Sequence, residues 1–161
     1  MDRGPVTWDD APVEVTEVPW SDPRLAPLFL ALWRELDALY GPNPGTEYRP
    51  LDMERPGNQA FLATNGVPVG CAALVPWHQP ERLEVKRMYV APSARGSGAA
   101  QALLEALAAA ARAKGAVALV LETGTRQPAA LTAYRRWGFV PIPCWGAFAE
   151  DPLSVCFEKR L

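Results

Sequence analysis

One stretch of the chain leaves few options for topology: Leu83 to Thr123. It opens with the strand-like run "LEVKRMYV", passes through a small-residue turn into "GAAQALLEALAAAARAKG", and ends in the continuous apolar run "AVALVLET". Ala is the best helix former, and Leu103, Leu104 and Leu107 recur at helical spacing, so a helix is predicted over 98–114, stopped by Gly115. Two strands joined by a crossover helix lie parallel, and the crossover is right-handed. A parallel pair therefore occupies the middle of the chain.

The flanking segments predict antiparallel neighbours for that pair. "VEVTEV" alternates as a half-buried strand. Leu25, Leu28, Phe29, Leu32, Trp33, Leu36 and Leu39 repeat as one face of a helix, with Ser21 or Asp22 as its cap and Gly41-Pro42 as its stop. The run "GPNPGTEYRPLDMERPGNQ" reads as a loop. In "AFLATNGVPVGCAALVPW", Asn65-Gly66 divides two apolar runs and predicts a hairpin. "QPAALTAYRRW" supplies a last helix ending at Gly138, and "LSVCFEKRL" a closing strand. The order is β-α-loop-β-β-β-α-β-α-β, a mixed α/β fold. At 161 residues it is expected as a single domain over 1–161.

Composition narrows the function classes. A net charge of -2 leaves no overall positive field, so no nucleic-acid partner and no anionic membrane is expected. Apolar runs such as "APLFLALW" fall far short of the ~20 residues that span a bilayer. The polar leader "MDRGPVTWDD" has no apolar signal core. One histidine and three scattered cysteines cannot assemble the usual metal ligand sets, so no metal is expected. An odd cysteine count argues against a closed disulfide framework and for a reducing, cytoplasmic setting, with the strand cysteines Cys71 and Cys156 as small core residues and Cys144, beside Pro143 and Trp145, expected to be more exposed. The closing strand and exposed aromatics leave a homodimer open.

The turn before the predicted helix over 98–114 carries the first chemical signal. A helix N-terminus bears roughly +0.5 charge and unpaired N–H groups, and it binds phosphate when the backbone can be approached closely. Gly96, Ser97, Gly98, Ala99 and Ala100 are all small. The turn is neither a P-loop nor a G-x-G-x-x-G fingerprint, and glycine and serine are common wherever a strand turns into a helix.

Three motifs taken together are more specific. Arg95-x-x-Gly98-x-Ala100, directly after "MYVAP", resembles the R/Q-x-x-G-x-G/A acetyl-CoA motif of the GNAT N-acetyltransferases. "AYRRWGF" is similar to that family's Tyr-x-x-x-Gly-Phe stretch, and "CFEKRL" to its terminal strand. The resemblance runs over nearly the whole chain. It implies a GNAT-like twisted, mostly antiparallel sheet flanked by helices, with the parallel pair splayed apart. Acetyl-CoA follows as co-substrate, its pyrophosphate on the backbone N–H groups from Arg95 to Ala100. Its pantetheine arm would lie along Met88, Tyr89 and Val90 as an added strand. Ser97 stands where the family often has Arg or Lys, Ala100 where Gly is commoner, and Gln127 where many members have Asn.

Acetyl transfer to an amine needs a neutral nucleophile, a polarised thioester and a proton for the departing thiolate. A lysine-like amine of pKa ~10.4 loses its proton at a cost of roughly 4–5 kcal/mol near pH 7, an α-amine only about 1–1.5. Glu84 is the first candidate base, at a position where the resemblance places a carboxylate in many members; its alternative is an ion pair with Arg82, Lys86 or Arg87. Alternation places Glu84, Lys86, Met88 and Val90 on one face and Val85, Arg87 and Tyr89 on the other. Glu122 is the second candidate base, or a partner for the loop "TGTRQ". Tyr134 matches the family's tyrosine acid, a phenol that can donate and whose usual pKa of about 10 exceeds that of a thiol.

Trp33, Tyr40 and Glu54, with Asp37, Glu47 and Asp52, are expected to line the site of a small-molecule amine, carboxylates suiting the cation and aromatics the wall. His78, beside Trp77, reads as a loop residue. An acetyl-cysteine intermediate is a weaker route. Two other functions share the pattern: a non-catalytic acyl-CoA sensor, and a transferase acting on a protein lysine or N-terminus.

Overall fold

A computed structural model describes residues 11–43 and 48–161; the leader 1–10 and Glu47 lie outside them. The alternating segment forms β1 (Glu14–Val18) and the leucine-rich one α1 (Leu25–Tyr40). A 3-10 turn over Pro50–Met53 leads into β2 (Gln59–Thr64) and β3 (Pro68–Pro76), the hairpin signalled by Asn65-Gly66. There follow β4 (Arg82–Val90), α2 (Ala99–Ala113), β5 (Ala118–Gly124), α3 (Pro128–Arg136), β6 (Val140–Ile142) and β7 (Ser154–Arg160). The proline-interrupted run after Gly138 thus holds a short edge strand, β6, that its composition hides. Pro141 sits within it, as prolines do on edges, where no ladder donor is required.

The strands form one seven-stranded sheet in the order β1-β2-β3-β4-β5-β7-β6. Every neighbouring pair is antiparallel except β4 and β5, the parallel pair demanded by the crossover through α2. Leu103, Leu104 and Leu107 of α2 bury against Phe61, Leu74, Val85, Leu119 and Phe157 on one face, where Tyr134 of α3 joins them. Leu25, Leu28, Phe29 and Leu32 of α1 cover the other face with Leu62, Cys71, Ala73 and Val75. Each such leucine stabilises the fold by roughly 1.5–3 kcal/mol when fully buried.

Helix α1 starts later than its capping residues suggest. Arg24 holds the N-cap position without a side-chain cap, while Asp22 Oδ1 accepts the Arg24 N–H at 2.9 Å and the guanidinium besides. These bonds hold the Asp22 carboxyl down at about 2.

Two expectations are overturned. Cys144 and Cys156 form a disulfide across 12 positions of sequence, their Cα atoms 5.2 Å apart. Antiparallel pairing of β6 with β7 brings Cys156 opposite Ile142, two residues before Cys144, a juxtaposition that no cysteine count reveals. Cys71 remains the free thiol, buried, with desolvation pushing it up to about 12.

The strict alternation assigned to 84–90 also fails. Against β3, Lys86 pairs with Ala73 and Tyr89 with Cys71, so two residues, Arg87 and Met88, oppose Ala72 alone. Arg87 is the one described non-glycine residue with positive φ, at 54°. This β-bulge shifts the phase by one residue. Tyr89 now shares the α1 face with Glu84 and Lys86, while Met88 and Val90 turn to the α2 face beside Val85.

Candidate active site

Glu84 is the last residue of β4 paired with β5, opposite Val120; beyond it no β5 residue pairs with β4. The two strands part there, and Met88, Tyr89 and Val90 are left on an edge of β4 that no strand covers. The Val90 carbonyl accepts Arg95 Nε at 3.0 Å. A hydrogen-bonding edge without a strand is what an extended chain-like ligand can occupy.

The end of that edge leads into the small-residue turn. Gly96 and Gly98 take φ of 82° and 89°, and a Cβ at either would meet nothing within 4 Å. The N–H groups of Arg95 and Ser97 bond to the carbonyls of Pro92 and Ala94. Among the described residues no carbonyl accepts from the N–H of Gly96, Gly98, Ala99, Ala100 or Gln101. Five free amides in an open turn at the positive end of α2 suit a pyrophosphate. The Ser97 hydroxyl points back to Ala94 O, and the Arg95 guanidinium reaches Glu35 of α1 at 2.6 Å. The backbone, rather than these side chains, is therefore what the turn leaves open to an anion.

On the α1 face of the fork two acidic groups lie close to one cation. Glu84 is buried, and Lys86 Nζ approaches its Oε1 at 3.4 Å. Burial raises the Glu84 carboxyl above the usual range; Lys86, Arg87 and His78 pull it back down. Glu122 Oε2 accepts the Ser154 hydroxyl at 2.9 Å. Burial raises this carboxyl too, opposed by the Ser154 bond and by Lys86. Arg82 is engaged elsewhere, with Glu158 at 2.7 Å and with Glu81.

Aromatic rings stand beside this group. The Trp77 and His78 rings touch at a tilt of 44° with centroids 3.8 Å apart, and Trp77 meets Trp145 edge-on at 5.0 Å; Trp145 meets Phe148, and Lys86 Nζ lies 5.9 Å from the Phe148 centroid. The disulfide of the neighbouring Cys144 anchors this segment to β7. His78 thus belongs to an aromatic cluster as well as to its loop. Lys86 is one of the ion-pair partners that the sequence offers for Glu84; Trp145 and Phe148 escaped the sequence reading, because their segment has no periodicity and only tertiary packing brings it to Lys86.

The remaining candidates are placed unequally. Tyr134 packs on the opposite face of the sheet from Glu84, edge-on to Trp137 and Phe139 and against Phe157. Desolvation pushes its phenol up to about 12, and its hydroxyl has no hydrogen-bond partner among the described residues. The Tyr40 hydroxyl accepts the Arg126 N–H at 3.2 Å and Gln127 Nε2 at 3.3 Å, tying the end of α1 to the loop after β5. It fills the space a side chain at Gly124 would need, so glycine is required there. Trp33 is half-buried with its indole N–H unpartnered among the described residues. Asp37 accepts the Asn43 N–H. Glu54 is exposed after the 3-10 turn, in no ion pair or hydrogen bond of its carboxylate among the described residues. With Cys71 buried and the other two cysteines bonded, the acetyl-cysteine route has no nucleophile.

No three His, Cys, Asp or Glu side chains among the described residues gather as a metal site, and no described helix is long and apolar enough to cross a membrane.

Comparison with known proteins agrees with this geometry. The family model of the acetyltransferase (GNAT) family matches residues 23–139. An IAA acetyltransferase of Azospirillum brasilense is 38% identical over 135 residues, 81% of this chain and 88% of the relative. Among solved structures, a Klebsiella pneumoniae protein assigned as an acyl-CoA N-acyltransferase is 32% identical with a TM-score of 0.71, covering 92% of this chain and 97% of that one. A GNAT family acetyltransferase of Elizabethkingia anophelis with acetyl-CoA bound shares the fold at a TM-score of 0.68 and 22% identity, over 92% of this chain and 98% of that one. An open β4 edge running into five free amides and a buried carboxylate at the strand fork accord with these likenesses: the chain belongs to the acetyltransferase (GNAT) family, whose acyl donor is acetyl-CoA.

Proposed function

We propose that this single-domain protein transfers the acetyl group of acetyl-CoA to a primary amine of a small molecule by direct attack, with Glu84 as base and Tyr134 as acid. The observation that carries this reading is the position of Glu84, a buried carboxylate at the point where β4 and β5 separate. The free amides from Gly96 to Gln101 hold the pyrophosphate, and the uncovered edge at Met88, Tyr89 and Val90 takes the pantetheine arm. Glu84 accepts the proton that the amine loses as its nitrogen bonds to the thioester carbonyl carbon. A carboxylate with raised proton affinity is a better base than an exposed one, and the nearby Lys86 ammonium favours its ionised form.

Tyr134 offers its hydroxyl proton to the sulfur as the carbon–sulfur bond breaks. A phenol pushed up to about 12 stays protonated across the working pH range, so the donor is always loaded. Glu122, held by Ser154, stays in place to attract the ammonium group before it deprotonates. The rings of Trp77, Trp145 and Phe148 form an apolar wall for the acceptor's body.

The test is thiol release from acetyl-CoA over a panel of amines, with acetyl-CoA binding measured separately by calorimetry. Turnover with small amines is expected. Tight acetyl-CoA binding with no thiol release from any amine or peptide would instead identify a sensor.

A further inference from the structure

Arg87 holds the least comfortable backbone conformation among the described non-glycine residues, φ 54° inside a strand. Such outliers cost about 1–3 kcal/mol each and persist where the surrounding structure requires them. Here the bulge gives a definite product. Residues three apart on a regular strand point to opposite faces. The bulge turns Arg87 to the α1 face, where Glu84 stands, with its guanidinium over the Tyr48 ring at 3.9 Å.

That guanidinium is incompletely satisfied. Its Nε is enclosed without a hydrogen-bond partner, and no carboxylate lies within ion-pairing distance of it among the described residues. Burial pulls its proton affinity down, while Tyr48 and Glu84 oppose the shift. Arg87 is half-buried, and an arginine drawn partly out of water is ordinarily paired, because its planar fork matches a carboxylate with two parallel hydrogen bonds. A charge left unpaired in a site that accepts substrate calls for an anionic group on that substrate.

We propose that the acceptor is an amino acid or similar small amino carboxylate, whose carboxylate binds the Arg87 guanidinium over Tyr48 while its amine faces Glu84. This rests on the transferase reading above and adds the class of acceptor. Glu84 and Arg87 then act as the two ends of one clamp, opposite in charge and placed on one face by the bulge. The aromatic rings of Trp77, Trp145 and Phe148 lie beyond Lys86 on that face, where an apolar amino-acid side chain would meet them.

The experiment compares phenylalanine with phenylalaninamide, which lacks the carboxylate and carries a less basic amine, by kcat/KM for thiol release in wild type and in Arg87 variants. It repeats the comparison with tryptophan and leucine and their amides, the amine's basicity cancelling between proteins. The wild-type protein is expected to favour the acids by about 30-fold or more, as a site built around a charged hydrogen bond does. In Arg87→Gln that ratio should collapse to within about threefold, and Arg87→Lys should restore only part of it. Because residue 87 has positive φ, Arg87→Gly removes the side chain without backbone strain and should collapse the ratio equally, which separates charge recognition from misfolding. Amides acetylated as well as the acids by the wild type would overturn the proposal while leaving the transferase reading intact. Should no amine turn over, calorimetric titration of N-acetylphenylalanine into the protein with CoA decides alone: Arg87-dependent binding supports the carboxylate site, and no binding overturns it.

Discussion

Lys86 Nζ stands 3.4 Å from Oε1 of Glu84, the last residue of β4 that pairs with β5. Lys86 lowers the proton affinity that burial raises in this carboxylate, which on the proposed mechanism takes the amine's proton. Glu84→Gln should lower kcat about 10²- to 10⁴-fold with little change in acetyl-CoA affinity, measured by steady-state thiol release and calorimetry. Lys86→Met removes the cation that lowers the Glu84 carboxyl, so the acidic limb of kcat/KM against pH should move to higher pH.

The same group predicts a stability profile. Burial raises both Glu84 and Glu122 in the folded state. A carboxyl raised on folding binds its proton more tightly in the native state, so its contribution is complete below the unfolded value near 4.5 and is lost as pH rises through the folded value. Thermal melts should show that loss as pH rises above about 4.5, and Glu122→Gln should flatten it.

Tyr134→Phe removes one oxygen and keeps the ring against Trp137, Phe139 and Phe157. Its melting midpoint should move little, since the hydroxyl has no partner to lose among the described residues. Turnover should fall by at least about tenfold, and more than acetyl-CoA affinity, because the proton is needed when the thiolate departs.

Gly98 occupies the N-cap of α2 in the left-handed region at φ 89°. Gly98→Ala strains that turn by about 1–2 kcal/mol and puts a methyl group into the opening where the free amides point. Acetyl-CoA should bind on the order of tenfold more weakly, while the kcat of the saturated enzyme holds.

The Cys144–Cys156 bond closes a short loop that carries Trp145 and Phe148. Replacing both cysteines by serine should cost about 2–3 kcal/mol in chemical unfolding. KM for the acceptor should rise more than KM for acetyl-CoA if the rings of Trp145 and Phe148 form the proposed acceptor wall. Native-state titration with a thiol reagent should find Cys71 unreactive, and unfolding without reductant should expose one thiol.

Local pattern was enough for much of this protein. The helical spacing of Leu25 to Leu39 and of Leu103 to Leu107 predicts α1 and α2, Asn65-Gly66 predicts the β2–β3 hairpin, and strand–helix–strand succession requires β4 and β5 to be parallel. Each of these rests on interactions between near neighbours in sequence. The glycine-bearing turn, with Tyr134 and the closing strand, likewise carried the family resemblance. What tertiary structure alone decided depends on pairing between distant residues. The bulge at Arg87 exists because β4 must match the register of β3 on both sides of Ala72, and it reverses which face Met88, Tyr89 and Val90 present. The disulfide exists because β6 lies along β7, and the aromatic wall because Trp77 and Trp145 meet across 68 positions of chain (145 minus 77). Periodicity names the face of a regular strand, and it cannot register one extra residue whose insertion is set by the partner strand.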